Sequence, residues 1–327
     1  MTRRSLNFQS KALLSILFST TILGALIYFA DIGNVYNTVK NGDLSLLTLA
    51  LLVSNLPVLI YAFTWKEVFE ISGIELSYIN SLRVVFANIF VNNVTPFGNI
   101  GGEAAVTYII SNTTDYSPGK IFSSILMSSI INFAPLGSIL ILGLLLTGQY
   151  TILISLTIFL SIIVILRKHL IRKKNLPNFF NRIPQRVLKF FKDFMGASSN
   201  LLEHKLKLIF LLGITHFAII FDVISIVIIA EAYGGDIFSP LILLVVPLSR
   251  VANYFPTPGG SGSYEAMMIG LLTIIMNLEP IVAISTVITY RAVTYYIGLL
   301  FGYIALNSIG LDDEFLNEHR KQEKAIK

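Results

Sequence analysis

From Ile121 to Thr147 the chain runs for 27 residues without one charged side chain. As a helix rising about 1.5 Å per residue, this segment is about 40 Å long. That exceeds the roughly 30 Å hydrocarbon core of a bilayer. Five further runs share its character: Ala12–Ala30, Leu46–Thr64, Tyr150–Leu166, Leu208–Ala232 and Pro280–Ile309. Composition agrees. Hydrophobic residues make up 54% of the 327 residues and charged residues 13%, with a mean hydropathy of +0.73. A soluble domain carries about 25% charged residues. This chain has too few charges to solvate a globular surface, which excludes a soluble enzyme, a disordered chain or a nucleic-acid-binding module. The spacing predicts an all-α polytopic membrane protein, one membrane domain over 1–327. The first run is too long for a cleavable signal and no small-residue cleavage site follows it. The Arg3-Arg4 pair lacks the surroundings of a twin-arginine signal.

The chain contains no cysteine, and its four histidines are scattered. No thiol nucleophile, disulfide, metal centre or cofactor is expected. No catalytic residue or nucleophile–base pair stands out, so the chain does not read as an enzyme. The formal net charge is +5, and eleven of the 24 Lys and Arg lie between Arg167 and Lys207, opposed by Asp193 and Glu203. A basic loop of this kind (167–207) is cytoplasmic and faces anionic lipid, not nucleic acid. Within it Pro184–Leu202 has a basic face (Arg186, Lys189, Lys192) and an apolar one (Val187, Phe190, Phe191, Phe194). It reads as an interfacial helix, the alternative being a linker helix packed on the membrane domain. Arg3, Arg4 and Lys11 place the amino end in the cytoplasm of a cell-membrane protein. Counting crossings from there places the carboxyl end, with the short tail 310–327, in the cytoplasm too.

The same count requires Tyr78–Asn112 to enter and leave on the cytoplasmic side, and Ile237–Met276 on the outer side. Each segment is apolar but broken by Pro and Gly, and reads as a helical hairpin, full-length or re-entrant, with an unwound tip. The two tips match. The first reads Asn93-Val94-Thr95-Pro96-Phe97-Gly98-Asn99-Ile100-Gly101-Gly102-Glu103, the second Phe255-Pro256-Thr257-Pro258-Gly259-Gly260-Ser261-Gly262-Ser263-Tyr264-Glu265. In both, Thr-Pro leads through glycines to Glu, and the two glutamates lie 162 residues apart. The same offset maps Leu46–Thr64 onto Leu208–Ile226 and Ile121 onto Ala283. The chain therefore reads as two inverted repeats, 46–147 and 208–309. Paired Gly/Pro-interrupted segments at matching places are the sequence pointer to a transporter's binding site.

Six charges fall inside apolar segments: Arg83, Glu103, Asp222, Arg250, Glu265 and Arg291. A charge at the bilayer centre costs at least ~2.5–3.5 kcal/mol, so three cations and three anions imply mutual compensation in an interior cavity. Glu103 and Glu265 each open an apolar arm and read as helix-capping carboxylates, as site carboxylates, or as both. Backbone N–H groups at Gly98, Gly101, Gly102, Gly259, Gly260 and Gly262 are candidate anion donors. Arg83, Arg250 and Arg291 suit a phosphate gripped by two parallel hydrogen bonds, with snorkelling to the interface as the alternative, most of all for Arg83. Asp222 reads as a counter-charge. Asn92, Asn93, Asn132 and Asn253 add polar groups, and Tyr290 stands beside Arg291.

These motifs, Asn-x-x-Thr-Pro-x-Gly with Gly-Gly-Glu (Asn92–Glu103), Pro-x-Pro-Gly-Gly-x-Gly-x-x-Glu (Pro256–Glu265) and Tyr290-Arg291, resemble the lysylphosphatidylglycerol synthase membrane-domain family. The resemblance covers about Leu13 to Asn307. It implies movement of lipids between leaflets, and it carries onto Asn92, Thr95, Pro96, Gly101, Gly102, Glu103, Pro258, Gly259, Gly260, Gly262, Glu265 and Arg291. The full-length synthases add a soluble aminoacyl-transferase domain. About 18 residues follow Ile309 here, so a stand-alone membrane domain that does not make the lysyl lipid is expected. Ser263 and Tyr264 stand where the motif is often apolar plus basic. The reading is a flippase-like protein moving a phospholipid or polyprenyl-phosphate-linked substrate, with an anionic or phosphate-bearing head group, along a polar path between the hairpins. The candidate substrate-binding residues thus include Thr257 as well as those already named. The alternatives are a secondary transporter of a small anion, a membrane-embedded lipid-phosphate transferase, and a non-transporting partner in envelope assembly.

Overall fold

The computed structural model describes residues 32–94, 101–152, 154, 185–254 and 260–309. The run Ala12–Ala30, most of Tyr150–Leu166 and the first part of the basic loop lie outside the described residues. So do both hairpin tips, including Thr95, Pro96, Gly98, Thr257, Pro258 and Gly259.

The described chain is helical: α1 (Ile32–Lys40), α2 (Leu44–Ile71), α3 (Tyr78–Val94), α4 (Gly101–Thr113), α5 (Pro118–Leu146), α6 (Gln185–Glu203), α7 (Lys205–Ala232), α8 (Ile242–Val251), α9 (Ser263–Ile274), α10 (Pro280–Arg291) and α11 (Ile297–Ile309). A π-helical turn, Ala292–Tyr296, joins the last two into one apolar span. By length and apolar composition, α2, α5, α7 and the Pro280–Ile309 span are each able to cross a membrane. The helices start where their sequences supply partners for the first N–H groups. Asp43 accepts from Ser45 and Leu46 at the head of α2, and Ser117 accepts from Lys120 at the head of α5. Pro118 and Pro280 each sit in a first turn, where no donor is lost.

Helices α2 and α7 are both 28 residues long. They lie side by side and antiparallel. At one end Lys207 Nζ meets Glu67 Oε2 at 2.7 Å. At the other, the Asp43 N–H donates to the Ala232 carbonyl at 3.0 Å. Two further pairs cross between the chain's halves. Arm α3 packs antiparallel on α11, with Phe86 against Phe301 (5.6 Å between ring centres) and Tyr295 donating to the Asn93 carbonyl (3.4 Å). Arm α8 packs on α5, where Gly143 meets Leu243 and Leu244. Among the described residues three apolar cores result. One gathers α7–α10 with Ala50 and Ile139, another α2–α5 with Ile309, and a smaller one joins Val68, Ile131, Leu201 and Leu211.

Helix α6 lies across the head of α5. Phe190 and Phe194 pack on Phe122, and Ser123 donates to the Phe194 carbonyl. Leu201 is buried against Val68, Ile131 and Leu211, whereas Leu188, Phe191, Met195 and Leu202 are exposed. The apolar face read from the sequence is thus split between packing and exposure.

The α3–α11 contact depends on Gly302, where a Cβ would stand 2.5 Å from the Phe86 carbonyl oxygen and 2.6 Å from Phe90 Cβ. Gly302→Ala should destabilise by ~1–3 kcal/mol through overpacking. Gly213→Ala, at a helical glycine with nothing within 4 Å, should be neutral or stabilising by up to about 1 kcal/mol. Unfolding of the two variants in the same detergent tests the contrast.

Candidate functional site

The geometry begins with the interruptions in the apolar helices. Helix α8 ends at Val251 in a short 3₁₀ turn (Ala252–Tyr254), and α9 starts beyond the tip. Gly260 and Gly262 have φ of +67° and +87°, a region open to glycine. A Cβ on Gly260 would stand 2.5 Å from Asn253 Oδ1, so the backbone closes against Asn253 because no side chain is there. The first interruption is comparable. The Gly102 N–H donates to Asn92 Oδ1 at 2.6 Å, and a Cβ on Gly102 would collide with Asn88 and Asn92.

Between these interruptions lies a cavity of ≈ 250 Å³. Of the residues singled out in the sequence, Asn92, Asn93, Glu103, Asn132, Asp222, Arg250, Asn253, Tyr290 and Arg291 line it. They come from six helices and the 3₁₀ turn, in both halves. Arg83 does not line it. Its guanidinium contacts Asn80 Oδ1 at 3.4 Å, one turn back on its own helix. Gly101, Gly102, Gly260, Gly262 and Glu265 do not line it either, and Glu265 reaches it through its bond to Arg291.

Two buried ion pairs organise the site. Asp222, 2% exposed in mid-α7, is bonded by Arg250 Nη2 and accepts from the Tyr290 hydroxyl at 2.9 Å. Arg250 Nη1 lies 3.5 Å from the Tyr61 hydroxyl. In the second pair Arg291 Nε donates to Glu265 Oε1 at 2.6 Å. Glu265 Oε2 accepts the Gly262 N–H, also at 2.6 Å. The capping role and the ion-pair role therefore coexist on one carboxylate. The Arg291 guanidinium also stands over the rings of Tyr264 (5.0 Å) and Tyr295 (4.2 Å), a cation–π arrangement that holds it in place. The π turn that follows brings Thr294 and Tyr295 to the cavity wall. Such turns interrupt helices mostly at functional sites.

One sequence expectation is corrected. The N–H groups of Gly102 and Gly262 are not open anion donors, because Asn92 and Glu265 occupy them. Among the described residues no group of three His, Cys, Asp or Glu side chains is placed to hold a metal ion. The sequence reading passed over Tyr61, Trp65, Asn88, Ser129, Tyr264 and Tyr295, which also line the cavity. A signal existed for two of them. Moving 162 residues back from Arg250 and Arg291 lands on Asn88 and Ser129.

Comparison with known proteins agrees with this architecture. Residues 12–302 match the family described as Lysylphosphatidylglycerol synthase TM region. A UPF0104 membrane protein of Pyrococcus horikoshii is 25% identical over 324 residues, covering 90% of this chain and 96% of the relative. A UPF0104 membrane protein of Methanocaldococcus jannaschii is 23% identical, covering 91% and 94%. One of Methanothermobacter thermautotrophicus is 19% identical, covering 92% and 96%.

The Asp222–Arg250 pair makes a sharp energetic prediction. Asp222→Ala strands a buried guanidinium and should cost ~3–5 kcal/mol. Replacing both partners with apolar residues of similar volume, Asp222→Leu with Arg250→Met, should recover most of that loss. Unfolding free energies of the single and double variants give the coupling directly.

Proposed function

The chain belongs to the lysylphosphatidylglycerol synthase TM-region family, and from that premise we propose that it translocates a membrane lipid, passing its polar head group through the cavity while the acyl tails stay in the surrounding hydrocarbon. The observation that carries the reading is the pair of largely enclosed Arg–carboxylate bridges at one cavity, which Asp222, Arg250 and Arg291 line, inside an apolar helical shell. Buried ion pairs add little net stability against apolar side chains of equal volume. Ionisable groups at membrane depth instead mark substrate and ion pathways. The substrate class is a phospholipid or a polyprenyl-phosphate-linked lipid. A phosphate entering the cavity exchanges with Asp222 and Glu265 for the two guanidiniums, and the displaced carboxylates keep the Tyr290 hydroxyl and the Gly262 N–H as donors. Arginine suits this exchange because its planar fork matches phosphate oxygens.

The two halves act as inverted repeats rocking about the cavity. Support comes from the antiparallel α2–α7 pair and from the reciprocal packing of α3 on α11 and α8 on α5. It also comes from helices that open 162 residues apart, at Gly101 and Ser263 and at Pro118 and Pro280. The Gly/Pro-broken hairpins then form the moving gates. The protein sits in the cell membrane with both termini cytoplasmic, and the exposed apolar stripe of α6 rests on the anionic inner leaflet, its lysines Lys189 and Lys192 beside it.

A second reading, secondary transport of a small anion, is favoured by the cavity's size. Its ≈ 250 Å³ lies just under the roughly 300–1,000 Å³ of pockets that enclose drug-sized ligands. Reconstitution into proteoliposomes separates the two. Wild-type protein should move a labelled phospholipid or a polyprenyl-phosphate sugar between leaflets. The charge-balanced variant Asp222→Asn with Arg250→Gln should do so about tenfold more slowly or not at all. Anion uptake with no lipid movement under imposed ion gradients would replace the lipid reading with the second one.

A further inference from the structure

The charges around the cavity do not balance. Asp222 answers Arg250 and Glu265 answers Arg291, which leaves Glu103. This carboxyl lines the cavity and is 9% exposed, and its Oε2 is buried with no hydrogen-bond partner among the described residues. It meets its own backbone N–H and the Ser129 hydroxyl. No cation among the described residues pairs with it.

The chain itself accounts for the imbalance. Glu103 and Glu265 lie 162 residues apart, as do Asn88 and Arg250, and Ser129 and Arg291. At both places where the second half carries an arginine, the first half carries a neutral side chain. Three more acceptor atoms of the same cavity, Asn88 Oδ1, Asn132 Oδ1 and Asn253 Oδ1, are likewise buried without a partner among the described residues. A carboxylate and amide oxygens that lack donors make an oxygen-rich site short of positive charge, the chemistry that hard cations satisfy. An isolated ionised carboxylate is too costly in such surroundings to persist unneutralised.

We propose that Glu103 is the loading site of a monovalent cation, a proton or a sodium ion, taken up inside the cavity. The other ionisable groups leave this role to Glu103. Helices α3 and α5 pack against α4, and their Tyr78, Arg83 and Lys120 do not line the cavity. On α4 itself Tyr108 is exposed. Across the cavity the Asp222–Arg250 pair is bracketed by Tyr61 and Tyr290, and Arg291 is held by Glu265 between two tyrosines. Loading brings the five charges from net negative to neutral, and that favours the arrival of an anionic head group. By linkage the head group favours loading to the same degree. The cation site stands on this geometry, whereas its use to couple transport rests on the lipid-translocation reading.

Trp65 is the chain's single tryptophan and lines the same cavity, so its fluorescence reports on the site without any lipid movement. Purified full-length protein in detergent is titrated with sodium against choline at fixed pH and ionic strength, and separately with pH in the absence of sodium. A saturable Trp65 response is expected in one titration, and which one identifies the ion. The near-isosteric Glu103→Gln should abolish it. Ser129→Arg, which supplies the counter-charge found in the other half, should weaken it by about tenfold or more. A wild-type signal flat in both titrations, or a response unchanged in folded Glu103→Gln, overturns the proposal. Because nothing is transported in this measurement, its failure counts against the cation site alone, and failure of translocation in proteoliposomes counts against the transport reading alone.

Discussion

Asp222 and Arg250 sit on different helices, and lipid can solvate neither. Each charge is tolerable only if α7 and α8 bring the other to it. The Tyr290 hydroxyl from α10 and the Tyr61 hydroxyl from α2 complete the arrangement. One ion pair thus ties four helices from both halves to a common point, and the cavity is the space those helices leave around it. The apolar cores on either side make no comparable demand. Dispersion and close packing hold them, and they tolerate many apolar side chains of the right volume.

Backbone chemistry explains why the polar residues gather where they do. A continuous helix inside hydrocarbon satisfies all of its own N–H and C=O groups, and an interrupted one does not. At the first interruption Asn92 takes the Gly102 N–H. At the second Glu265 takes the Gly262 N–H. Polar side chains are therefore required at the breaks before any ligand is considered, and the same breaks admit a water-accessible cavity. Glu265 shows how structural and electrostatic duties merge, since one oxygen caps a helix and the other holds Arg291. Asn92 does the first of these jobs and leaves the second undone. Where the second half carries Arg291 the first half carries Ser129, so its carboxylate has no guanidinium.

Much of this was legible in the sequence. Apolar runs located the four described spans, with one end seven residues short and the others within three: Leu46–Thr64 became Leu44–Ile71, Leu208–Ala232 became Lys205–Ala232, and the last began at Pro280 as read. The run length is decisive because hydrocarbon thickness sets it. The intramembrane charges stood out for the same reason, and five of the six came together at or behind one cavity. Arg83 did not, because its place three residues after Asn80 gives it a local partner. The aromatic lining, Tyr61, Trp65, Tyr264 and Tyr295, was not legible. An aromatic residue in an apolar run looks the same whether it faces lipid, core or cavity.

What the sequence by itself determined is that this chain must be a bundle of membrane-length helices with two Gly/Pro interruptions and a small set of charges that have to find one another. Hydrophobic length and the cost of unpaired charge dictate this, and both depend on residues read one at a time. Only the tertiary structure decided the pairing. Asp222 and Glu265 are equally plausible partners for either arginine along the chain. The antiparallel docking of α2 on α7, and the place of α8 against α5, set which guanidinium reaches which carboxylate. Pairing is a property of distances between helices, and those depend on packing between segments far apart in sequence. The same packing left Glu103 beside a serine rather than an arginine.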